Sequence, residues 1–476
     1  MRSADIGIGI DFGTSNSAAA WFDGKNVRMI PLEQYSEVMP TALHLDREYQ
    51  STTGSDAIKR YVEENRGRRV EMVAEIIGQA SQSVQDPDAD RGNIYGSLVD
   101  RSLPGRLILG VKRLLGNKQQ DTLEIFGRNF RLVALITPIL IRLQNTINHT
   151  IPVPLRRIHI GRPVEFEGTN SLAIERLKES SDYAGYSHIS FFPEPLAATL
   201  SFLHGQTTMA NGITLAVDFG GGTLDFCLVE CTSSNGTKGR RNRENLQFKV
   251  LGTSGLAMGG DHIDQLIFEN LIFPELGKGE RWSRTVDGTI VDTPFPFQDY
   301  EQGLLNWAIT YKLNQNQFTA RIAECIHSSS DSSTVKFERL RDTIQHNYSF
   351  NIFSAIKEAK AQLSDIEETV LSIPELDMNV PFRRDQFNAI IADLLRLIED
   401  KICQLFSETQ LDFHHVSRVV RTGGSSNISA VVELLERYFP EKVVQHDPFN
   451  SVASGLAIAN YFDHQIDYAD DEATLT

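Results

Sequence analysis

The apolar positions of the chain fall into two related patterns, one near each end of its first half. Residues 6–21 read IGIGIDFGTSNSAAAW: an apolar run, a short polar turn, then a run of small residues. Residues 216–229 read AVDFGGGTLDFCLV and repeat that plan with three consecutive glycines in the turn. Short apolar runs bounded by turn residues are the pattern of buried strands, so each stretch predicts a strand-turn-strand unit. Further strands are expected at 27–32, 157–164, 189–192, 248–251 and 416–421. Between them lie helical periods. Leu132, Leu135, Ile136, Ile139, Leu140, Leu143 and Ile147 place one apolar face on a helix over 131–150. Phe387, Ile390, Ile391, Leu394, Leu395, Leu397, Ile398 and Ile402 do the same over 385–404. Shorter helices are expected at 53–64, 170–184, 352–364 and 429–438. Strands alternating with helices predict an α/β fold. Residues 79–101 and 233–245 are polar and turn-rich and read as loops, the first a mobile insert; the acidic end, DYADDEATLT, reads as a disordered tail.

Size and charge narrow the class. A chain of 476 residues has room for roughly three domain-sized units. With 41% hydrophobic and 23% charged residues it has the composition of a globular protein. A net charge of −16 argues against general nucleic-acid binding, which needs a positive surface. No apolar run approaches the roughly 20 residues of a membrane span, and the N-terminus has no signal-peptide pattern, so a cytoplasmic location is expected. The four cysteines, Cys227, Cys231, Cys325 and Cys403, are too few for a disulfide scaffold. Cys227 and Cys231 lack accompanying metal-ligating residues and read as buried thiols.

The chemistry concentrates at the turns. Gly220, Gly221 and Gly222 have no Cβ to keep an anion from their backbone amides, and Asp218, Thr223 and Asp225 flank them. Amides, hydroxyls and carboxylates converging on a tight turn suit a phosphate with its magnesium ion. The first turn offers Asp11, Gly13, Thr14, Ser15 and Asn16. Glu194, between Pro193 and Pro195 at a strand end, is a rigidly aimed carboxylate. Gly259-Gly260-Asp261 and Gly423-Gly424-Ser425 each precede a helix, where close approach of a ligand is possible. The aromatic stretch Trp282, Phe295, Phe297, Tyr300 and Trp307 is either a local core or a partner surface.

Taken together, DFGTSNS, DFGGGTLDF, PEPLAA, GGDHID and TGGSS resemble, in order, the nucleotide-binding module of the 70-kilodalton heat-shock chaperone (DnaK-like) family, within the actin-like ATPase superfamily. The resemblance implies a two-lobed α/β fold of duplicated ribonuclease H-like domains: lobe I over 1–208 with an outer subdomain at about 39–129, lobe II over 209–445 with an enlarged outer subdomain at about 261–364, a returning helix at 446–463 and an acidic tail at 464–476. It stops where the family's peptide-binding half begins and so points to the short YegD-like branch. It implies that ATP or ADP with magnesium is bound, with Asp11 and Asp218 holding the metal through water. Glu194 and Asp218 would orient the attacking water, and Thr14 and Thr223 would face the terminal phosphate. Gly259, Gly260, Asp261, Lys360, Ser364, Gly423, Gly424 and Ser425 would line the nucleotide.

Departures from the pattern qualify the activity. Ala361 and Asn427 stand where the family has base-side arginines, which bears on base selectivity. The γ-phosphate lysine, sought in a G-x-x-A-K pattern, falls on Ile58, with Lys59 one place late. One residue turns a helical side chain by about 100°, so very slow hydrolysis is expected. The function implied is a chaperone-like nucleotide switch without a peptide-binding domain, with a partner engaged through the outer part of lobe II. A metabolite kinase and an actin-like filament protein are the alternatives.

Overall fold

The computed structural model describes residues 6–70, 72–79, 93–100, 102–151, 157–163, 166, 168–205, 211–233, 246–286, 289–328, 331–447, 450–462 and 466–468. Two six-stranded sheets carry the architecture, and their strand orders match. In the first, Ile189–Pro193, Ile158–Arg162 and Gly7–Phe12 lie parallel; Asn16–Phe22 and Val27–Met29 continue antiparallel, and Val38–Pro40 also pairs with Asn16–Phe22. In the second, Val443–Gln445, Val416–Thr422 and Gly212–Phe219 lie parallel, followed antiparallel by Leu224–Ser233 and Leu246–Leu256. The two stretches that stood out in the sequence are therefore the equivalent central hairpins of a duplicated sheet.

Parallel strands must be covered on both faces, and the helices do this. The apolar face of Leu132–Thr150 is wholly buried against the first sheet. The second long period is not one helix. It breaks at Ile391 into Arg384–Ile390 and Ala392–Thr409, which buries Phe387, Leu394, Ile398 and Ile402 but leaves Leu397 facing out.

Three other expectations change. Residues 93–100, read as loop, form the strand Asn93–Asp100 paired with Met72–Gln79. Residues 80–92 and the basic stretch 234–245 lie outside the described residues. Ile466–Tyr468, within the stretch read as tail, pairs parallel with the outer strand of the second sheet. Main-chain hydrogen bonds to an edge strand need no side-chain pattern, so the sequence carried no signal for it. Finally, Phe295, Phe297 and Tyr300 are interior: Phe295 stacks on Tyr300 at 5.3 Å and meets Phe337 edge-on at 4.9 Å. These rings are the core of the enlarged region, not a surface for a partner.

Between the sheets lies a layer of small residues. Helix Ser451–Phe462 crosses the first sheet where Gly7 and Gly9 leave room for its backbone; a Cβ on either glycine would overlap Ala453, Ala457 or Tyr461. Its Gly455 in turn sits against the Ala197 carbonyl of helix Glu194–Gly205. The backbone N–H of Ile8 donates to Asn460 Oδ1 at 2.9 Å, and Thr422 of the second sheet shares a 2.6 Å hydrogen bond with Ser451.

The two halves meet again further out. Tyr61 of helix Ser55–Asn65 packs with Val70, Leu103 and Tyr311, joined by Trp307. The Tyr61 hydroxyl donates to the Ala308 carbonyl, and the Arg68 guanidinium lies 4.7 Å over the Tyr311 ring. Gly67 N–H donates to Gln345 O at 2.7 Å, Val70 N–H to Asn314 O at 3.0 Å, and Asn314 Nδ2 to Arg68 O at 2.6 Å.

Two outcomes test these contacts. Gly455→Ala forces a methyl into the Ala197 carbonyl and should cost about 1–3 kcal/mol, read as a lowered melting temperature, whereas Ser454→Ala should be near neutral. Tyr311→Ala should open the outer contact locally: by hydrogen exchange the Gly67 and Val70 amides lose protection while those of Gly7–Phe12 keep theirs.

Candidate functional site

Asp11 and Asp218 occupy the same place in the two central hairpins, one residue before the end of the leading strand. Both line a single cleft between the halves. Gly13, Thr14, Ser15 and Asn16 line it from the first hairpin, and Gly220, Gly221, Gly222 and Thr223 from the second; Glu194, Gly423 and Gly424 complete it. Glu194 gets there because strand Ile189–Pro193 ends at a proline and the helix Glu194–Gly205 starts at once. Gly423 adopts φ 79°, a left-handed conformation that a β-carbon disfavours, and its turn lies against Phe219 O and Asp218.

The other six expected residues, Gly259, Gly260, Asp261, Lys360, Ser364 and Ser425, make contacts within the protein beside the second hairpin. The amides of Gly260 and Asp261 donate to Gly220 O at 3.0 Å and Gly221 O at 2.8 Å, so they are spent on holding the glycine turn rather than offered to an anion. Gly259 is glycine because a Cβ would overlap the Gly221 carbonyl. Lys360 donates to Asp264 Oδ1 at 2.5 Å and Gly260 O at 3.1 Å. Ser425 reaches Gly220 O at 3.5 Å, and the Ser364 carbonyl accepts from Ser429 at 3.3 Å. These residues form a layer behind the second hairpin. Asp261 also accepts from Ser15 across the cleft at 3.4 Å. At one position of an expected base-side arginine, Asn427 Oδ1 instead accepts from the buried Arg421 at 3.3 Å, and Ala361, at the other, is exposed.

The cation of the cleft is not where the sequence placed it. Lys59 is exposed, Ile58 is half-buried, and neither lines the cleft. The lysine present is Lys112, on the 3-10 turn Val111–Leu114 that follows Gly110, whose φ is 65°. Lys112 is 4% exposed, and its Nζ donates to Glu194 Oε1 at 2.7 Å and stands 5.9 Å from the Phe12 ring centroid. The signal was available in VKRLLG, two adjacent cations closing a glycine-bounded turn, but nothing local distinguishes that from a surface turn. Arg113 and Asp225 also line the cleft. Asp225 Oδ2 accepts from the Thr223 hydroxyl at 2.9 Å.

So many carboxylates in one cleft repel one another. Burial, then the charge of Glu194, raises the Asp11 carboxyl from its ordinary 3.8 to about 7, with Lys112 pulling the other way. Asp218 is raised well above its ordinary value by burial and then by Asp225, Glu194 and Asp11. Hard oxygen donors held at unfavourable charge density fit a magnesium ion that keeps several of its waters. Among the described residues, the one group of three metal-type side chains close enough to enclose an ion is Asp412, His414 and His415, which is exposed and outside this cleft. Cys227 and Cys231 are free and buried.

Duplicated sheets with a glycine-rich hairpin from each facing one cleft define the two-lobed actin-like ATPase fold. The sequence comparisons name the family: the chain matches the Hsp70 protein family over residues 7–373 and 350–462 and belongs to it. Chaperone protein dnaK1 of Synechocystis sp. is 23% identical over 464 residues, covering 95% of this chain and 53% of that protein. The mitochondrial heat shock 70 kDa protein of Solanum tuberosum is 22% identical over 463 residues (95% and 54%). Chaperone protein DnaK of Carsonella ruddii is 21% identical over 464 residues (95% and 62%). The chain thus spans between half and two thirds of the length of these relatives. No helix among the described residues is long and apolar enough to cross a membrane.

The raised carboxyls give a pH test. Between the ordinary 3.8 and about 7, Asp11 binds more proton in the folded than in the unfolded chain, so its contribution to stability is present at low pH and lost as pH rises through about 7. A bound cation needs the ionised form. Melting curves should therefore show a magnesium-dependent stabilisation that grows from about pH 6 to about pH 8; a flat increment would contradict the assignment of Asp11.

Proposed function

We propose that this chain binds adenine nucleotide with magnesium in the cleft and hydrolyses ATP to ADP and phosphate, acting as a nucleotide-driven switch of the Hsp70 type. One observation carries the reading: the duplicated Asp-Phe-Gly hairpins face each other across a cleft whose floor holds a lysine paired to a carboxylate. The glycine turns cradle the β- and γ-phosphates through backbone amides. Asp11 and Asp218 hold the metal through its waters, and the metal supplies positive charge to the phosphate oxygens. Thr14 and Thr223 present hydroxyls to the terminal phosphate, and Asp225 fixes the Thr223 rotamer.

Glu194 orients the attacking water, and Lys112 both holds Glu194 and offers charge to the transferring group. Phosphoryl transfer needs chiefly positioning and charge stabilisation, which is what this set provides. The expectation of very slow hydrolysis rests on Ile58; the Lys112–Glu194 pair supports a faster turnover than that position alone implies. The base side lacks the family's arginines at Ala361 and Asn427, so weak base selectivity is part of the proposal. The output to a partner, and whatever clients it serves, belong to the same proposal, with Mg-ATP as the input.

The test pairs binding with turnover. Millimolar Mg-ATP should raise the melting temperature of the wild type, and Asp11→Ala and Asp218→Ala should each shrink the shift. Lys112→Ala should lower the single-turnover hydrolysis rate by about 10²–10³-fold, while Lys59→Ala leaves it unchanged. Turnover that survives Lys112→Ala, or depends on Lys59, would overturn the assignment.

A further inference from the structure

The two neighbouring cations of the cleft are not in the same state. Lys112 is neutralised by Glu194 at 2.7 Å. The Arg113 guanidinium has no hydrogen-bond or ion-pair partner among the described residues, although four carboxylates line the same cleft, and its Nε is buried and unsatisfied. A guanidinium cannot shed its proton, so a half-buried one without a partner is a charge held for an anion that is not part of the chain. Its position says where that anion lies. On the 3-10 turn Val111–Leu114, Lys112 points to Glu194, and the Arg113 guanidinium lies against Gly222 of the opposite hairpin. A Cβ on Gly222 would overlap the guanidinium, whereas Gly222 itself does not adopt the left-handed backbone that would otherwise demand glycine. Gly222 is thus shaped around the Arg113 side chain.

We propose that Arg113 is a specificity-determining residue that reads the terminal phosphate of a nucleoside triphosphate and distinguishes it from the diphosphate. This rests on the nucleotide reading of the cleft. The guanidinium lies against Gly222, and its chain neighbour Lys112 holds Glu194, the carboxylate that the proposed function places at the attacking water. Its planar fork suits two oxygens of one phosphate, which a lysine cannot grip in the same way. Because the fork comes from one half and the turn it rests on from the other, a phosphate bound between them joins both halves. The diphosphate ends short of that contact.

The experiment is calorimetric titration of ADP and of a non-hydrolysable ATP analogue, each with magnesium, into the wild type, Arg113→Ala, Arg113→Lys and Gly222→Ala. Arg113→Ala should weaken the triphosphate about 10- to 100-fold, the range for charge-assisted hydrogen bonds, and the diphosphate less than about threefold. Arg113→Lys should restore only part of the difference. Gly222→Ala, which displaces the guanidinium without removing it, should lower the triphosphate-to-diphosphate ratio in the same direction and covers the case in which Arg113→Ala fails to fold. Equal losses for both nucleotides, or no loss, overturn the assignment of Arg113 while leaving the cleft reading intact. A folded wild type that binds neither nucleotide overturns both.

Discussion

The cleft depends on how closely helix Ser451–Phe462 lies on the first sheet. Gly7 and Gly9 have no side chain to hold the helix off, and Gly455 lets it touch helix Glu194–Gly205 on its other side. Ala18, Ala20, Ala197, Ala198, Ala216, Ala453 and Ala457 fill the same layer, which draws on both sheets. Larger residues would add buried area but would move the sheets apart. The hairpin of Asp11 and that of Asp218 would then no longer face each other across a gap of molecular size. Close-packed interiors respond to a single added methyl, so this layer fixes distances that no residue of the site sets for itself.

Bringing the hairpins together has an electrostatic cost. Asp11, Asp218, Asp225 and Glu194 converge, and burial with mutual repulsion pushes the first two carboxyls upward. Lys112 offsets part of this through Glu194, at the expense of being buried itself. Sites that concentrate one sign of charge are less stable empty than filled, which is the condition for tight binding of the missing counter-charge. The same logic explains the layer behind the second hairpin. Lys360 is consumed by Asp264, and the Gly260 and Asp261 amides by the Gly220 and Gly221 carbonyls, so the turn is rigid before any ligand arrives.

Much of the fold was legible because the duplicated hairpins are local signals: an apolar run, Asp-Phe-Gly and a threonine within a few residues. The face of Leu132–Thr150 was legible for the same reason, a long period with no interruption. What was not legible depended on contacts between distant segments. Lys112 is a cleft residue only because strand Gly105–Leu109 and the left-handed Gly110 that follows it aim its turn inward, whereas Lys59, nearer to a familiar pattern, ends in solvent. The aromatic residues around Phe295 read equally as core or surface until their mutual packing is known. The break at Ile391 shows a helical period sustained by two consecutive helices, which periodicity alone does not separate. Gly260 and Asp261 had the right spacing for a ligand-facing helix start, but nothing in their sequence tells that their amides are already taken by Gly220 and Gly221.

These features bear on how a ligand could act as a switch. A ligand shifts a conformational balance only by the contacts it makes in one state and not the other. The inner helical layer is continuous and mostly apolar, with the Thr422–Ser451 hydrogen bond at its cleft edge. The contacts across the cleft are of a different kind. Ser15 meets Asp261 at a long 3.4 Å, and Arg113 rests on Gly222 without a hydrogen bond. Further out, the rings of Tyr61, Tyr311 and Trp307 join the halves, together with four hydrogen bonds, one from Tyr61 and three along residues 67–70. The halves are thus tied firmly inside and outside and weakly between, where the ligand would sit. A terminal phosphate engaging Arg113 from one half and the glycine turn from the other, as proposed above, would add its differential contacts at the level where the described contacts are weakest.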